Sequence, residues 1–288
     1  MKAEEGNDLI RELISDGKPF AAGKLGAGEC RGLSNFFHHV LNQIFPVVWN
    51  QHPHGELFYG AGVFPLDPVA LNRFCEIYIE YLKEIDIVGI WQNPLEEFII
   101  GQTQPNAVQC QARALEPFYH PSPWTESLEG KTILVVSPFE ESIKGQINRN
   151  RHFYSPEATM KSIWPASNIF WRSKIKTLKI PFCAAIERSP YSSWEEGLLK
   201  IQNEIAEKEF DLAIIGAGAW SVPLAVHCKR LGRIGIHTGG ATQLFFGIKG
   251  KRWDNHEVIS KFYNDHWTRP TPQDTPVDNR AVEEGCYW

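Results

Sequence analysis

Apolar residues recur along this chain in two rhythms: short, mostly apolar runs, and longer stretches in which they return every three or four positions. The runs fall at residues 20–25, 85–90, 131–136 (KTILVV), 178–185, 213–215 and 233–237. A strand covered on both faces needs such a run, because both sides of its pleat meet apolar partners. The helical rhythm marks residues 9–14, 30–44, 69–83, 95–100, 194–209 and 222–231. Several of these stretches carry start or stop signals. Asp67-Pro68 places a capping carboxylate before proline at the first helical position. Ser193-Trp-Glu-Glu196 has capping-box spacing. Ser221 stands as an N-cap and Gly232 as a glycine just past a helix end.

Strands alternating with helices predict an α/β fold: a three-layer, largely parallel Rossmann-like sheet with helices on both faces. A single α/β domain is expected over residues 1–267, with a loop insertion near 45–66 that is rich in aromatics, histidine and glycine. Residues 268–288 carry three prolines and no periodicity, and are expected to form a C-terminal arm. No internal repeat is present.

Composition narrows the function classes. Of the 288 residues 43% are hydrophobic and 22% charged, ordinary values for a folded globular chain. The net charge of −5 is spread along the chain, which excludes the concentrated basic face of a nucleic-acid binder. Six cysteines without a CxxC spacing read as reduced, mostly buried thiols. The acidic, polar start MKAEEGNDLI is unlike a secretory signal, and no apolar run reaches the ~18 residues of a membrane span. The expectation is a cytoplasmic protein without a transmembrane segment, with peripheral membrane association left open. Trp91, Trp124, Trp164 and Trp220 fall at element ends. Most of the ten tryptophans read as packing, and a few as stacking platforms for a sugar or base.

The chemistry concentrates in glycine turns. After the strand at 213–215 comes Gly216-Ala-Gly218 and a helix. After the strand at 233–237 come Gly239-Gly240 and a basic stretch. Glycine lets the backbone approach a ligand closely, and a helix N-terminus favours an anion. Two such turns at neighbouring strand ends make a crevice of the kind in which open α/β sheets bind ligands. A dinucleotide fingerprint would also need a third small residue, where Ser221 stands, and an acid at the end of the next strand, which ends Ile236-His237-Thr238. Near the N-terminus Gly26-Ala27-Gly28-Glu29 repeats the strand-turn-helix logic. Its carboxylate reads either as a favourable first-turn charge or as a general base or metal ligand aimed into the crevice. His52-Pro-His54 with Glu56, near His38-His39, resembles a metal-ligand cluster without a third well-spaced set. No GxSxG, HExxH or P-loop pattern appears, so hydrolase and kinase chemistry lack support.

The segments KLGAGE, VVSPF and DLAIIGAGAW…GIHTGGATQLFFGIKGKRW resemble bacterial glycosyltransferases of the GT-D structural type, and the terminal EEGCYW is similar too. The resemblance covers residues 18–32 and 131–253. It implies a glycosyltransferase of polysaccharide or glycoconjugate assembly, moving sugar from a nucleotide-sugar donor, expected to be a UDP-sugar, to a glycan or glycolipid acceptor. It implies Glu29 as catalytic base or metal anchor. It places Gly26 and Gly28, Ser137-Pro138-Phe139, Gly216, Gly218-Ala219-Trp220, and His237, Gly239 and Gly240 around the donor. Lys249, Lys251 and Arg252 would face its diphosphate. Family members hold Mn2+ or Mg2+ with an acid pair, and Ala27 stands here where the first acid is expected. Metal held by Glu29 with the diphosphate, or metal-free catalysis, both stay open. The rival readings are an NAD(P)-dependent oxidoreductase and a non-catalytic nucleotide- or glycan-binding subunit of a biosynthetic complex.

Overall fold

The computed structural model describes residues 1–42, 55–149, 161–164, 173–183 and 189–288. In chain order its main elements are α1 (Ala3–Asp16), β1 (Ala21–Lys24), α2 (Ala27–Leu41), α3 (Pro68–Leu82), β2 (Ile87–Ile90), α4 (Glu96–Thr103) and β3 (Val108–Gln111). They continue with β4 (Thr132–Ser137), α5 (Glu140–Asn148), β5 (Lys174–Lys179), α6 (Trp194–Ala206), β6 (Leu212–Ile215), α7 (Ser221–Arg230) and β7 (Ile234–His237). The seven strands form one parallel sheet in the order β3-β2-β1-β7-β6-β4-β5. This is the expected three-layer, Rossmann-like α/β architecture.

Side chains alternate across the sheet as the pleat requires. Leu134, Val136, Ala213 and Ile215 join the apolar layer beneath α2, α3, α4, α6 and α7. Ile133, Val135, Leu212 and Ile214 face the other way, into a layer with α1, α5 and the short helical turns beyond β7. Central β7 and α7 approach so closely that a Cβ on Gly235 would stand 2.3 Å from the Ala225 carbonyl oxygen.

Local signals explain the helix ends. Asp67 accepts hydrogen bonds from the N–H groups of Val69 and Ala70, each 2.9 Å long, and so fixes the start of α3. α3 then buries Leu71, Phe74, Tyr78 and Leu82 on one face. Ser193 accepts from Glu196 N–H, while the Glu196 carboxylate reaches back to Ser192 rather than Ser193. Gly232, at φ 75°, closes α7 in the left-handed region, and Arg233 N–H returns to the Cys228 carbonyl.

The departures from expectation lie mostly at edges and turns. Of the run expected at 178–185, the strand takes in 178 and 179 and begins at Lys174, residues 180–183 are not strand, and residues 184 and 185 lie outside the described residues. β5 is an edge strand (KIKTLK) in which Leu178 alone is buried, so four of its six positions carry no apolar signal. The opposite edge, β3, was not anticipated for the same reason: its sequence is VQCQ. Within the expected loop insertion, Glu56–Ala61 forms a helical turn, and residues 45–54 lie outside the described residues. Ser221 does not cap α7. It is the helix's first residue, and its hydroxyl instead accepts from Ala217 N–H at 2.8 Å.

Residues 268–288 pack onto the domain. Asp274 accepts from Ser142 N–H at 2.6 Å, and Trp288 Nε1–H donates to the Asp274 carbonyl at 2.8 Å. All six cysteines are free thiols, five of them buried. No described helix is long and apolar enough to cross a membrane.

Candidate active site

Parallel strands end at one common edge, and the loops beyond them enclose a cleft of about 1150 Å³. Its floor and walls come from the segments after β1 (Leu25 to Glu29), β2 (Trp91, Asn93), β4 (Pro138, Phe139), β6 (Gly216 to Gly218) and β7 (Gly239 to Gln243). The Arg252–Trp253 turn and Tyr287 of the C-terminal arm close one side. The opening therefore lies outside the carboxyl ends of β2, β1, β7, β6 and β4, which stand side by side in the sheet. That is where an open α/β sheet leaves a natural crevice.

Glu29 stands in the first turn of α2, only 7% exposed. Its carboxylate folds back over the helix start: a Cβ on Gly26 would lie 2.2 Å from Glu29 Oε2. Burial pushes the Glu29 carboxyl above the ordinary carboxylate range, and a hydrogen bond from its own backbone N–H opposes this only in part. Among the described residues lining the cleft, Glu29 is the one carboxylate outside an ion pair.

The cleft's cations are already matched. Lys24, the last residue of β1, donates to Glu116 Oε1 at 2.9 Å, with both side chains 10% exposed. The Lys24 ammonium also sits 4.6 Å from the centre of the Trp91 ring, and Trp91 is itself 44% exposed in the cleft. Arg31 pairs with Glu56, and Arg252 pairs with Glu283. His237, at the end of β7, has Nδ1 between Gly239 N–H at 3.1 Å and the Ile215 carbonyl oxygen at 3.3 Å. Burial, with the charge of Lys24 added, holds its pKa down at about 3, so the ring is a neutral hydrogen-bonding group.

Most of the anticipated site residues come together here: Gly26, Gly28, Glu29, Ser137, Pro138, Phe139, Gly216, Gly218, Trp220, His237, Gly239, Gly240 and Arg252 all line the cleft. Ala219, Lys249 and Lys251 do not. Ala219 is buried in the core, the Lys249 ammonium lies over the Tyr263 ring, and Lys251 pairs with Glu284 at the surface. Trp220 is a packing residue whose indole N–H donates to the Trp194 carbonyl.

The glycines line the cleft for a reason other than the one expected. A Cβ on Gly216 would meet Thr242 Oγ1 at 2.5 Å and the Gly239 carbonyl at 2.6 Å. One on Gly218 would meet the Ala61 carbonyl at 2.7 Å, and one on Gly240 the Tyr287 ring at 2.3 Å. The space that these residues leave is filled by the protein's own loops.

Sequence reasoning passed over Lys24, Glu116, Tyr59 and Tyr287 as site residues. Lys24 carried a signal, a lone cation ending an apolar strand. Glu116 and Tyr59 carried none, since each reaches the cleft through a loop.

Glu29 offers a single buried carboxyl, its pKa raised by burial, and the neighbouring Glu116 and Glu56 are committed to Lys24 and Arg31. That donor set does not fit a protein-held Mn2+ or Mg2+, which takes several oxygen ligands. Among the described residues no three His, Cys, Asp or Glu side chains cluster as metal ligands. His39 Nδ1 is bound to the Asn35 carbonyl, Glu56 pairs with Arg31, and His52 and His54 lie outside the described residues. Comparison of the chain with protein-family models, with curated proteins and with solved structures finds no match.

Proposed function

We propose that the protein is a glycosyltransferase that takes its sugar from a nucleoside-diphosphate donor bound in this cleft. The observation that carries the reading is the convergence, on one cleft of about 1150 Å³, of a buried unpaired carboxyl (Glu29), an arginine fork (Arg252) and exposed aromatic surfaces (Trp91, Tyr59). The volume suits a ligand larger than a single nucleotide or monosaccharide. Aromatic faces suit a base or a pyranose ring, and a guanidinium suits a phosphoryl group.

In this reading Glu29 takes the proton from the acceptor hydroxyl, its basicity raised by burial. The acceptor oxygen bonds to the anomeric carbon as the bond to the nucleoside diphosphate breaks. Arg252 meets the charge that develops on the departing phosphate. A divalent cation is not needed for any of these steps.

Dinucleotide chemistry is the weaker reading. The Gly216–Gly218 turn is covered by Thr242 and Ala61, and the strand that should end in a ribose-binding acid ends in neutral His237. A thermal-shift series decides. UDP or another nucleoside diphosphate should raise the melting temperature, with or without Mn2+, by mass action on the folded state. A shift with NADH and none with any nucleoside diphosphate would defeat the proposal. Donor binding without transfer to any acceptor pool would favour the non-catalytic subunit.

A further inference from the structure

Arg252 is the basic side chain of the 249–252 stretch that reaches the cleft, and in this structure its guanidinium is not open to a ligand. Nη2 is bound by the Glu283 carboxylate, Nη1 donates to the Tyr287 hydroxyl at 3.3 Å, and the plane stacks 4.7 Å from the Tyr287 ring centre. A carboxylate here meets the guanidinium as one edge of a phosphoryl group would, with oxygens against N–H donors.

Three observations single out Glu283 among the cleft's paired acids. Its side chain is 66% exposed, while those of Glu116 and Glu56, the partners of Lys24 and Arg31, are 10% and 27% exposed. Its backbone is strained: Glu283 and Glu284 adopt φ of 44° and 57°, ahead of Gly285 at 82°, so two non-glycine residues in succession occupy the left-handed region. The chain beyond is anchored independently. Gln243 Nε2–H donates to the Tyr287 carbonyl, Arg252 N–H to the Cys286 carbonyl and Lys251 N–H to the Trp288 carbonyl. The exposed Glu283 side chain can therefore swing away from Arg252 while the end of the arm stays docked.

We infer that the Glu283 carboxylate is an internal stand-in for a phosphoryl group, and that an anionic ligand takes Arg252 by displacing it. The exchange keeps Arg252 paired when the cleft is empty. Without it, entry of a ligand would begin from a stacked, partly desolvated cation with no counter-charge. It also supplies discrimination: a neutral ligand cannot replace Glu283, whereas a phosphoryl group recovers the full charge-assisted pair. The inference rests on the donor reading only for its ligand class, since the exchange is defined for any phosphoryl anion.

The test is calorimetric titration of the full chain with inorganic pyrophosphate and, separately, with UDP. It compares the wild type with Glu283→Gln, Glu284→Gln and Arg252→Gln. Glu283→Gln should bind pyrophosphate about ten-fold more tightly than the wild type. Glu284→Gln removes the same charge one residue away and should change affinity less than about two-fold. Arg252→Gln should abolish the gain when combined with Glu283→Gln. Equal or weaker binding by Glu283→Gln, or equal tightening by Glu284→Gln, overturns the exchange, as does a failure of Glu283→Gln to bind pyrophosphate at all. Tightened pyrophosphate binding without any response to UDP sustains the exchange and removes the nucleotide-sugar donor instead.

Discussion

Lys24 and Glu116 close a buried ion pair at 2.9 Å across the floor of the cleft, joining the end of β1 to the segment beyond β3. The two residues are 92 positions apart, and the pair bridges central β1 and edge β3, past the intervening β2. Trp91, at the end of β2, lies over the ammonium. Three consecutive strand ends are thus held in one geometry by a single charge pair under an exposed ring.

Breaking one half of that pair should cost more than removing both. Lys24→Met leaves Glu116 buried without a counter-charge, which should destabilise the fold by about 3–5 kcal/mol. The double variant Lys24→Met/Glu116→Leu should recover most of this, since well-packed apolar groups are often no worse than a buried ion pair. Urea unfolding of the four members of the cycle measures the coupling. Additive losses would mean that the pair does not act as a unit.

The glycines make a sharper packing test. Gly216→Ala must push its methyl group against Thr242 Oγ1 and the Gly239 carbonyl, the latter a backbone atom that cannot turn aside. A loss of about 1–3 kcal/mol is expected. Gly101, inside α4, has nothing within 4 Å of the place where a methyl group would stand. Gly101→Ala should therefore stabilise the helix by about 0.5–1 kcal/mol. Melting temperatures that move in opposite directions would confirm that the turn glycine serves protein packing.

How much of this was legible follows from where each residue sits. Central strands such as β4 and β6 announce themselves as apolar runs because both faces are covered. The edge strands β3 and β5 do not, since solvent takes part of their surface. Glu29 and the glycine turns stood out because strand, turn and helix are contiguous in sequence. Glu116 and Tyr59 arrive from distant loops, and only the assembled sheet brings them to the cleft. Lys249 and Lys251 show the opposite failure: three clustered cations share a sequence neighbourhood, yet the turn at Lys251–Trp253 sends only Arg252 inward.

His237 should make the fold sensitive to acid. Its pKa is lowered from 6.5 to about 3, so the unfolded chain binds a proton more readily than the folded one between those values. Its contribution to stability is full above about pH 6.5 and declines as the pH falls towards 3, by at most about 1.4 kcal/mol per unit. His237→Asn keeps an acceptor for Gly239 N–H but cannot titrate. Urea unfolding across the range from about pH 7 to about pH 5 should therefore show a shallower loss in the variant than in the wild type. Parallel slopes would mean that His237 charges as easily in the folded protein as in the unfolded one.

Glu29 titrates in the opposite sense, and this separates its roles. Its pKa is raised from 4.5 by burial, so the folded protein holds the proton more firmly than the unfolded chain. The associated stability is fully present below about pH 4.5 and is lost as the pH rises through the folded-state value. Glu29→Gln has the same shape and no charge to desolvate. Its stability relative to the wild type should therefore improve as the pH is raised above about 4.5, read as a growing difference in melting temperature. If the carboxylate is the base of the transfer, the same variant should lose about 10²–10⁴ in turnover while its UDP affinity stays nearly constant. If it were only a favourable charge at the start of α2, the substitution would cost about 0.3–1 kcal/mol at neutral pH and leave turnover intact. A variant that is both more stable at neutral pH and nearly inactive fits a residue whose burial serves proton transfer, because nothing in the packing of α2 requires a charge that the fold would rather neutralise.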